Sequence, residues 1–365
     1  MTLPPLGAIP QDIAAVRDYE PLARERMGEA AWSYFAGGAG DEWTLRENVA
    51  AFDRLALNPR VLRDLGTATT RTTLFGCELA APILLAPVAF QRMAHPDGEL
   101  ATMLAASALE SAMVVSTQAS VDLETLAAEA SAPLWFQLYI QPDRDFTAAL
   151  VARAERAGYH ALVVTVDAPA TGMRWREQRA GFALPAGIEA VNLRGMKGLP
   201  PAAPDALLFG TPLAAAAPTW EAIGWLRERT SLPIILKGVA TPEDARRAVD
   251  LGVDGLIVSN HGGRTLDGTP AAIDLLPAVV REVGADVPVL MDGGVRRGTD
   301  ILRALALGAR AVLIGRPYIF ALAAAGAVGV AHVLRLLRAE LELAMALTGC
   351  ADVAAVDEAV LANRP

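Results

Sequence analysis

The sequence predicts an α/β chain folded as a (β/α)8 TIM barrel with an N-terminal helical cap and a long loop after the fourth strand. The first observation is that short aliphatic runs alternate eight times with longer segments of helical composition from about residue 80 onward. The second is that most of these runs are apolar at every position, which is typical of parallel strands buried on both faces. Strands and helices that alternate along a chain form a parallel sheet, and eight such units close a TIM barrel.

The predicted strands are short, and each ends at a polar residue or a glycine or close to one. Segments of helical composition follow at 142–158, 241–252 and 299–308, and each ends in glycine, which is favoured after a helix C-terminus. The eight predicted strands span residues 83–87, 113–116, 134–139, 161–166, 233–237, 255–260, 288–292 and 311–315.

Two segments depart from the repeat. Residues 1–70 are predicted to form helices without a strand partner, which indicates a cap packed on the barrel. Residues 183–218 are rich in Gly, Pro and Ala between the fourth and fifth strands, and a loop of that length predicts a mobile lid. Because no low-complexity linker separates the cap from the barrel at 80–350, we expect residues 1–365 to form a single domain.

Composition disfavours several classes of partner. A net charge of −9 disfavours nucleic acid and anionic membranes. The longest apolar stretch, 318–331, is too short to span a bilayer, and the N-terminus lacks the basic and apolar regions of a secretory signal. Cys77 and Cys350 lie far apart and match no metal or redox spacing, so we expect reduced thiols in a cytoplasmic protein.

Glycine-rich sequences follow the last two predicted strands, with DGGVRRGTD at 292–300 and IGRP at 314–317. TIM-barrel sites lie at the C-terminal ends of the strands, and glycines there let backbone amides approach an anion. Arg296 and Arg316 would add charge-assisted hydrogen bonds. These features predict a phosphate-bearing ligand, and the alternative is that the glycines serve only tight turns.

His261 ends the sixth predicted strand and precedes two glycines. Imidazole titrates near neutral pH, so a histidine at a strand end suits acid/base chemistry. Asp167, at the end of the fourth strand, would orient the ring and stabilise its protonated form. The alternative is a histidine that is merely hydrogen-bonded within its loop, and we favour the catalytic base.

Three further cations follow predicted strands. Lys237 ends an apolar strand, and a buried ammonium requires a polar or anionic neighbour. The residue type allows either a Schiff-base nucleophile or a fixed positive charge beside a cofactor. Arg174 and Arg264 could bind a substrate carboxylate through their planar guanidinium groups. The alternative is that they are ordinary surface arginines.

With these motifs, the chain closely resembles the FMN-dependent α-hydroxy acid oxidases and dehydrogenases, which include glycolate-, lactate- and mandelate-oxidising enzymes. The resemblance runs from about Tyr19 to Ala351. Its most specific motifs are SNHGGRTLDG at 259–268, LPIILKG at 232–238 and MDGGVRRGTD at 291–300, joined by FQLY at 136–139, TVDAP at 165–169, GAGDEWTLREN at 38–48 and IGRP at 314–317.

The resemblance implies a catalytic set. His261 is the implied base, paired with Asp167, and Tyr34 and Tyr139 are implied to hydrogen-bond the substrate. Arg174 and Arg264 are implied to bind its carboxylate.

The same resemblance identifies the phosphate ligand as FMN. Lys237 is then implied to lie at the N1/O2 edge of the flavin as a fixed positive charge. The other implied cofactor contacts are Ala89, Ser116, Gln137, Thr165, Ser259, Asp292, Gly294, Arg296, Gly315 and Arg316.

The implied reaction is oxidation of a small L-2-hydroxy acid to the 2-oxo acid, with O2 as acceptor and hydrogen peroxide as product. The implied assembly is a homotetramer. One alternative is a dehydrogenase that uses quinone or cytochrome. Others are a type 2 isopentenyl diphosphate isomerase and a non-catalytic flavin- or phosphate-binding barrel. Abstraction of the C2 proton and removal of the hydroxyl proton with hydride transfer both use His261, and both remain open.

Three positions depart from the family pattern. Gln118 stands where glycolate oxidases carry an aromatic residue that lines the substrate side chain. Val88 replaces a threonine of the plant-type enzymes, and Met173 stands where many members carry a second arginine. Together with the sequence APVAFQRMAHPDGELA at 86–101, these departures predict a substrate larger than glycolate, with an aromatic side chain as one candidate.

Overall fold

A computed structural model describes residues 3–203 and 206–362. It contains a closed barrel of eight parallel strands and a separate two-stranded antiparallel sheet. The strands are β1 (Thr72–Leu74), β2 (Cys77–Leu79), β3 (Ile83–Leu85), β4 (Met113–Ser116), β5 (Leu134–Leu138), β6 (Leu162–Thr165), β7 (Ile234–Val239), β8 (Gly255–Val258), β9 (Val289–Asp292) and β10 (Val312–Ile314).

The predicted TIM barrel is confirmed. Strands β3 to β10 pair in chain order, and β10 pairs with β3 to close the ring. Each barrel strand begins and ends within two residues of its predicted bounds. The aliphatic runs predicted these strands well because both faces of each strand are buried.

Successive side chains on the strands pack into different cores. One set fills the barrel interior and includes Leu84, Val114, Ile235 and Leu313. Neighbouring residues such as Leu85 belong to the core between the strands and the surrounding helices. This alternation leaves the polar residues after each strand free to converge at the C-terminal end of the barrel.

The hairpin of β1 and β2 was not predicted, and it closes the N-terminal end of the barrel. Its Leu74 and Leu79 belong to the interior cluster. Phe75 packs edge-on against Trp135 at 5.5 Å, and it lies so close to Gly255 that a Cβ there would contact the Phe75 ring. Among the described residues, this packing covers the N-terminal end of the barrel and leaves its C-terminal end open for a site.

Helices surround the barrel and form the cap. Short 3-10 turns occur at Val16–Asp18, Gln91–Met93, Val191–Leu193, Val353–Ala355 and Glu358–Val360. The α-helices are α1 (Tyr19–Arg26), α2 (Glu29–Ala36), α3 (Trp43–Asp53), α4 (Glu99–Ala108), α5 (Leu123–Glu129), α6 (Arg144–Arg156), α7 (Trp175–Arg179), α8 (Pro212–Ala215), α9 (Glu221–Arg227), α10 (Pro242–Asp250), α11 (Ala272–Val283), α12 (Gly298–Ala306) and α13 (Arg316–Thr348).

The N-terminal cap consists of α1, α2 and α3, which contact α13, α7 and α11. Helices in the described part of 1–70 are confined to residues 16–53, so the prediction was wrong for 3–15 and for 54–70. The second of these segments, 54–70, lies next to the C-terminal segment of the chain. Segment 54–70 runs across the surface, where Leu57 forms an antiparallel bridge with Leu361. It exchanges backbone hydrogen bonds with the C-terminal segment instead of forming its own helix.

The long helix α13 contains the apolar stretch singled out in the sequence. By length and hydropathy alone it is the one helix in the described ranges that would be long enough to cross a membrane. Its course is broken at Ala325 and Gly326, whose φ values are −152° and 57°. Of its most apolar window 67% is buried, and the helix packs against α1, α4 and α12. Burial in this core accounts for its apolar composition.

The described parts of segment 183–218 are 183–203 and 206–218, and both contribute residues to the C-terminal end of the barrel. These parts contain the 3-10 turn at Val191–Leu193 and helix α8. Leu193 and Leu213 face the cavity described below. The mobility predicted for this loop stays a prediction.

Candidate active site

A cavity of about 890 Å³ lies at the C-terminal ends of the barrel strands. Its volume is within the usual range for a cofactor or small-molecule site. Of the residues predicted for the site, only Asp167 and Ser259 lie outside the lining. The predicted residues that line it are Tyr34, Ala89, Ser116, Gln118, Gln137, Tyr139, Thr165, Arg174, Lys237, His261, Arg264, Asp292, Gly294, Arg296, Gly315 and Arg316.

His261 is held by the carboxylate predicted for it. Its Nδ1 lies 2.9 Å from Oδ1 of Asp167, and its backbone N–H donates to Oγ of Ser259 at 3.0 Å. The φ of His261 is 56°, a left-handed conformation that is rare for a residue with a side chain and is often found at functional sites. A Cβ on Gly238 would overlap Asp167, so glycine is needed there for this pair to form.

The Asp167 carboxylate is ionised. Burial opposes ionisation, but the charge of His261 and the hydrogen bond to its ring hold the pKa of Asp167 below its ordinary value, with help from Lys237. With Nδ1 engaged, Nε2 is the ring atom free to exchange a proton, since it has no hydrogen-bond partner among residues 3–203 and 206–362. The pair therefore has the geometry of a general base and its orienting carboxylate.

Lys237 is a buried ammonium with a full set of partners. Its side chain is 5% exposed, and Nζ lies 2.7 Å from Oδ2 of Asp292 and 2.9 Å from Oγ of Ser259. Burial opposes its charge, but Asp292 and Asp167 raise the pKa of Lys237 above its ordinary value. A nucleophilic lysine needs a neutral amine, so this environment favours the fixed positive charge.

Two guanidinium groups lie side by side in the cavity. Nη1 of Arg174 and Nη2 of Arg264 lie 3.3 Å and 3.2 Å from the same oxygen, Oε1 of Glu177. Burial and the neighbouring Arg174 lower the pKa of Arg264, while Tyr34 and Glu177 act in the opposite direction. Such a pair can bind one carboxylate through several charge-assisted hydrogen bonds.

The C-terminus of α2 is fixed by arginines from the barrel. Arg264 donates through Nη1 to the carbonyls of Tyr34 and Gly37, and Arg316 donates to the carbonyls of Phe35 at 3.1 Å and Gly37 at 2.7 Å. The last carbonyls of a helix lack partners within the helix and carry partial negative charge. These contacts hold the cap so that Tyr34 faces the cavity.

The two cavity tyrosines are neutral hydrogen-bond donors. Burial raises the pKa of Tyr139 to about 12. Burial also raises the pKa of Tyr34, although Arg264 and Arg174 act against it. The Tyr34 ring stacks on Phe182 at 5.0 Å and lies beneath the Arg264 guanidinium, also at 5.0 Å. Both phenols are therefore available to a substrate hydroxyl or carboxylate.

At the end of the cavity formed by β9 and β10, the glycine-rich loops that follow these strands lie beside Arg296 and Arg316. Neither arginine forms an ion pair with an acidic side chain in the described part of the chain. Burial lowers the pKa of both, which indicates buried cations with little compensating charge. Gly294 has a φ of 87°, and a Cβ there would overlap the carbonyl of Asn48. This end is built for an anion such as a phosphate.

Hydrogen-bonding side chains also line the wall formed by β4, β5 and β6. Gln137 donates to Oγ1 of Thr165 at 3.0 Å and accepts from Ser116 at 3.3 Å. Oδ1 of Asp292 is buried and has no partner among the described residues, so it is an unused acceptor. A polar wall, an unused acceptor and an anion-binding end fit the flavin, ribityl chain and phosphate of FMN, the predicted cofactor.

Several residues of the site were missed in the sequence. Glu177 lies on the short helix α7 after a long loop, where a charged residue resembles an ordinary surface residue. Asn48 and Asn260 exchange two side-chain hydrogen bonds of 2.8 Å and 2.9 Å that join the cap to the end of β8. Both asparagines lie in motifs that carried the family resemblance, which was the available signal.

Comparison with known proteins agrees with this geometry. The profile of the FMN-dependent dehydrogenase family matches residues 23–363. An L-lactate oxidase from Nostoc sp. is 47% identical over 352 residues, which cover 94% of this chain and 96% of the relative. Glycolate oxidase 1 from Zea mays is 45% identical over 348 residues, which cover 94% of each chain. A crystal structure of mandelate oxidase with benzoyl-formic acid has a TM-score of 0.87 and 43% identity, covering 96% of this chain and 98% of the other.

Proposed function

Because the chain belongs to the FMN-dependent dehydrogenase family, we propose that it oxidises an L-2-hydroxy acid to the 2-oxo acid and passes the electrons to O2. The product of the second half-reaction is then hydrogen peroxide. Support for an oxidase comes from relatives that are named lactate, glycolate and mandelate oxidases. A dehydrogenase that uses quinone or cytochrome is the second candidate, and O2 reactivity separates the two.

The observation that carries the proposal is the His261–Asp167 pair in one cavity with two carboxylate-binding arginines. Arg174 and Arg264 hold the substrate carboxylate, which fixes the position of C2 and its hydroxyl. His261 accepts a proton at Nε2, and Asp167 stabilises the imidazolium that forms. A protein that only bound a phosphate ligand would not need this arrangement.

The tyrosines complete the substrate end. As neutral phenols, Tyr34 and Tyr139 donate hydrogen bonds to oxygens of the substrate. Tyr34 reaches the site only because α2 is fixed by Arg264 and Arg316, so the cap is part of the active site.

FMN, when bound, supplies the acceptor for the two electrons that leave C2. We propose that Lys237 holds a positive charge at the polar edge of its ring, while Ser259 orients the ammonium. Ser116, Gln137 and Thr165 would hydrogen-bond the ring, and Ala89 would pack against it. The phosphate and ribityl end would be held by Asp292, Gly294, Arg296, Gly315 and Arg316.

The substrate side chain points to the part of the cavity near Gln118. Gln118 is smaller than an aromatic residue, and Phe90 and Phe182 supply apolar wall nearby. We therefore propose a side chain larger than that of glycolate, such as the methyl group of lactate or a phenyl group.

Three further expectations belong to the proposal. They are a single domain that spans the chain, a homotetramer and a cytoplasmic location. Size-exclusion chromatography with light scattering would test the tetramer directly.

One experiment tests substrate and acceptor together. The FMN-loaded protein is mixed anaerobically with glycolate, L-lactate, L-mandelate, 4-hydroxymandelate or a long-chain 2-hydroxy acid, and flavin absorbance is followed. Air is then admitted. The proposal expects bleaching by at least one L-acid and rapid recovery in air. Bleaching without recovery would identify a dehydrogenase, and no bleaching by any acid would refute the proposed reaction.

A further inference from the structure

We propose that Glu177 is a built-in counter-ion of the two substrate-binding arginines and restricts the site to 2-hydroxy acids with a single negative charge. This inference rests on the proposed function and specifies its substrate class. Glu177 is a positioning and specificity residue, because it acts through Arg174 and Arg264.

Glu177 is embedded in the substrate end of the cavity. It lines the cavity, and its side chain is only 12% exposed, compared with 16% for Arg174 and 14% for Arg264. One oxygen, Oε1, contacts both guanidinium groups, and Oε2 lies 3.5 Å from Arg174. This carboxylate thus occupies part of the hydrogen-bonding capacity that a substrate carboxylate would use.

The contacts are long enough to leave room for a second carboxylate. Ion-paired N–H···O bonds are ordinarily about 2.7–2.9 Å long. The contacts of Glu177 with the two guanidinium groups measure 3.2–3.5 Å. Glu177 therefore neutralises charge without saturating either arginine, and a substrate carboxylate can bind beside it.

The charges at this end of the cavity determine how many anions it accepts. Arg174 and Arg264 contribute two positive charges and Glu177 removes one. These three side chains together carry one net positive charge, which matches one substrate carboxylate. A second carboxylate on the substrate would be buried without a partner, and that is costly.

The test uses two ligands of nearly the same shape that the enzyme cannot oxidise. Oxalate carries two negative charges, whereas oxamate replaces one carboxylate with a neutral amide. Each is titrated into FMN-loaded protein, and the dissociation constant is read from the change in flavin absorbance. The variants are Glu177→Gln, which keeps an acceptor but removes the charge, Glu177→Asp, which keeps the charge, and Glu189→Gln, an exposed control on the same loop.

Removing the charge should favour oxalate over oxamate. A unit charge in a partly buried site changes the affinity for a second unit charge by on the order of tenfold after screening. Oxalate carries two negative charges, so its affinity changes more than that of oxamate, which carries one. Glu177→Gln should therefore shift the oxalate-to-oxamate affinity ratio by on the order of tenfold toward oxalate. Glu177→Asp and Glu189→Gln should leave the ratio within about twofold of wild type.

An unchanged ratio in Glu177→Gln would overturn the inference, and so would an equal shift in Glu177→Asp. These outcomes leave the proposed function standing, because the wild-type flavin still responds to both ligands. If neither ligand perturbs the flavin of the wild-type protein, the inference is also overturned, because the arginine pair then does not bind these carboxylates. The proposed function is tested separately by flavin bleaching with L-2-hydroxy acids.

Discussion

Asp167→Asn removes the charge that supports His261 while preserving the shape of the side chain. In the wild-type protein Oδ1 lies 2.9 Å from Nδ1 of His261, and the two side chains are 10% and 21% exposed. The asparagine amide can donate to Nδ1, which would place the ring proton on Nε2 and leave that atom unable to act as a base. Even with the ring correctly oriented, the imidazolium would lack its counter-ion.

The size of the effect follows from this geometry. A hydrogen bond to a charged partner contributes about 1.5–3 kcal/mol, and the Coulomb energy of charges about 4 Å apart is about 4 kcal/mol at an effective dielectric constant of about 20. These overlapping contributions give a loss of about 2–4 kcal/mol of transition-state stabilisation, so flavin reduction should slow roughly 30- to 900-fold.

The assay is anaerobic stopped-flow reduction of bound FMN by a saturating L-2-hydroxy acid. Asp145→Asn, an exposed change on α6, is the matched control and should behave like wild type. An Asp167→Asn protein that retains FMN and reduces it within about threefold of the wild-type rate would refute the role of this pair.

The same variant has a second readout in acid. The folded pKa of Asp167 lies below its ordinary value, so the unfolded state binds the proton more readily and the carboxylate stabilises the fold above about pH 4. That contribution is lost as the pH falls through the folded pKa. Asp167→Asn lacks it, so its unfolding free energy should fall less steeply than that of wild type below about pH 5. Parallel acid curves for the two proteins would contradict this account.

Three other substitutions probe the cofactor and substrate ends. Lys237→Met leaves Asp292 buried without its partner and should lower the free energy of unfolding by about 3–5 kcal/mol in urea titrations, whereas a loss below about 1 kcal/mol would argue against a tight pair. Gly294→Ala should lower the free energy of unfolding by about 1–3 kcal/mol more than Gly268→Ala and should weaken FMN retention. Both glycines have a positive φ, but only at Gly294 would a Cβ overlap backbone atoms, so equal losses in the two variants would contradict this account. Gln118→Trp should raise the glycolate-to-mandelate ratio of kcat/KM by about tenfold or more, and an unchanged ratio would remove Gln118 from the side-chain pocket.

The barrel was predictable because its strands are buried on both faces. Runs such as 161–166 carry no polar residue until the chain reaches the site, so the end of the apolar run also located Thr165 and Asp167. The hairpin of β1 and β2 gave no such signal, since each strand has three residues and one exposed position. Its position depends on packing beneath Trp135, a contact distant in sequence.

The sequence predicted the site residues that follow barrel strands and missed those that come from loops. Residues that follow barrel strands, such as His261 and Lys237, are brought together by closure of the barrel. Glu177 and Phe182 come from a loop whose path no periodic pattern encodes. The partners of Arg316 were also hidden, because backbone carbonyls at the end of α2 leave no trace in the sequence.

The central claim is that His261 is the base of a carboxylate-binding redox site, and His261→Ala tests it most directly. FMN content and oxamate binding are measured first, followed by anaerobic reduction of the flavin by the best L-2-hydroxy acid. We expect FMN and oxamate to bind while flavin reduction falls by at least about a thousandfold, since both the base and its ion pair with Asp167 are lost. Flavin reduction within about tenfold of the wild-type rate in this variant would contradict the claim.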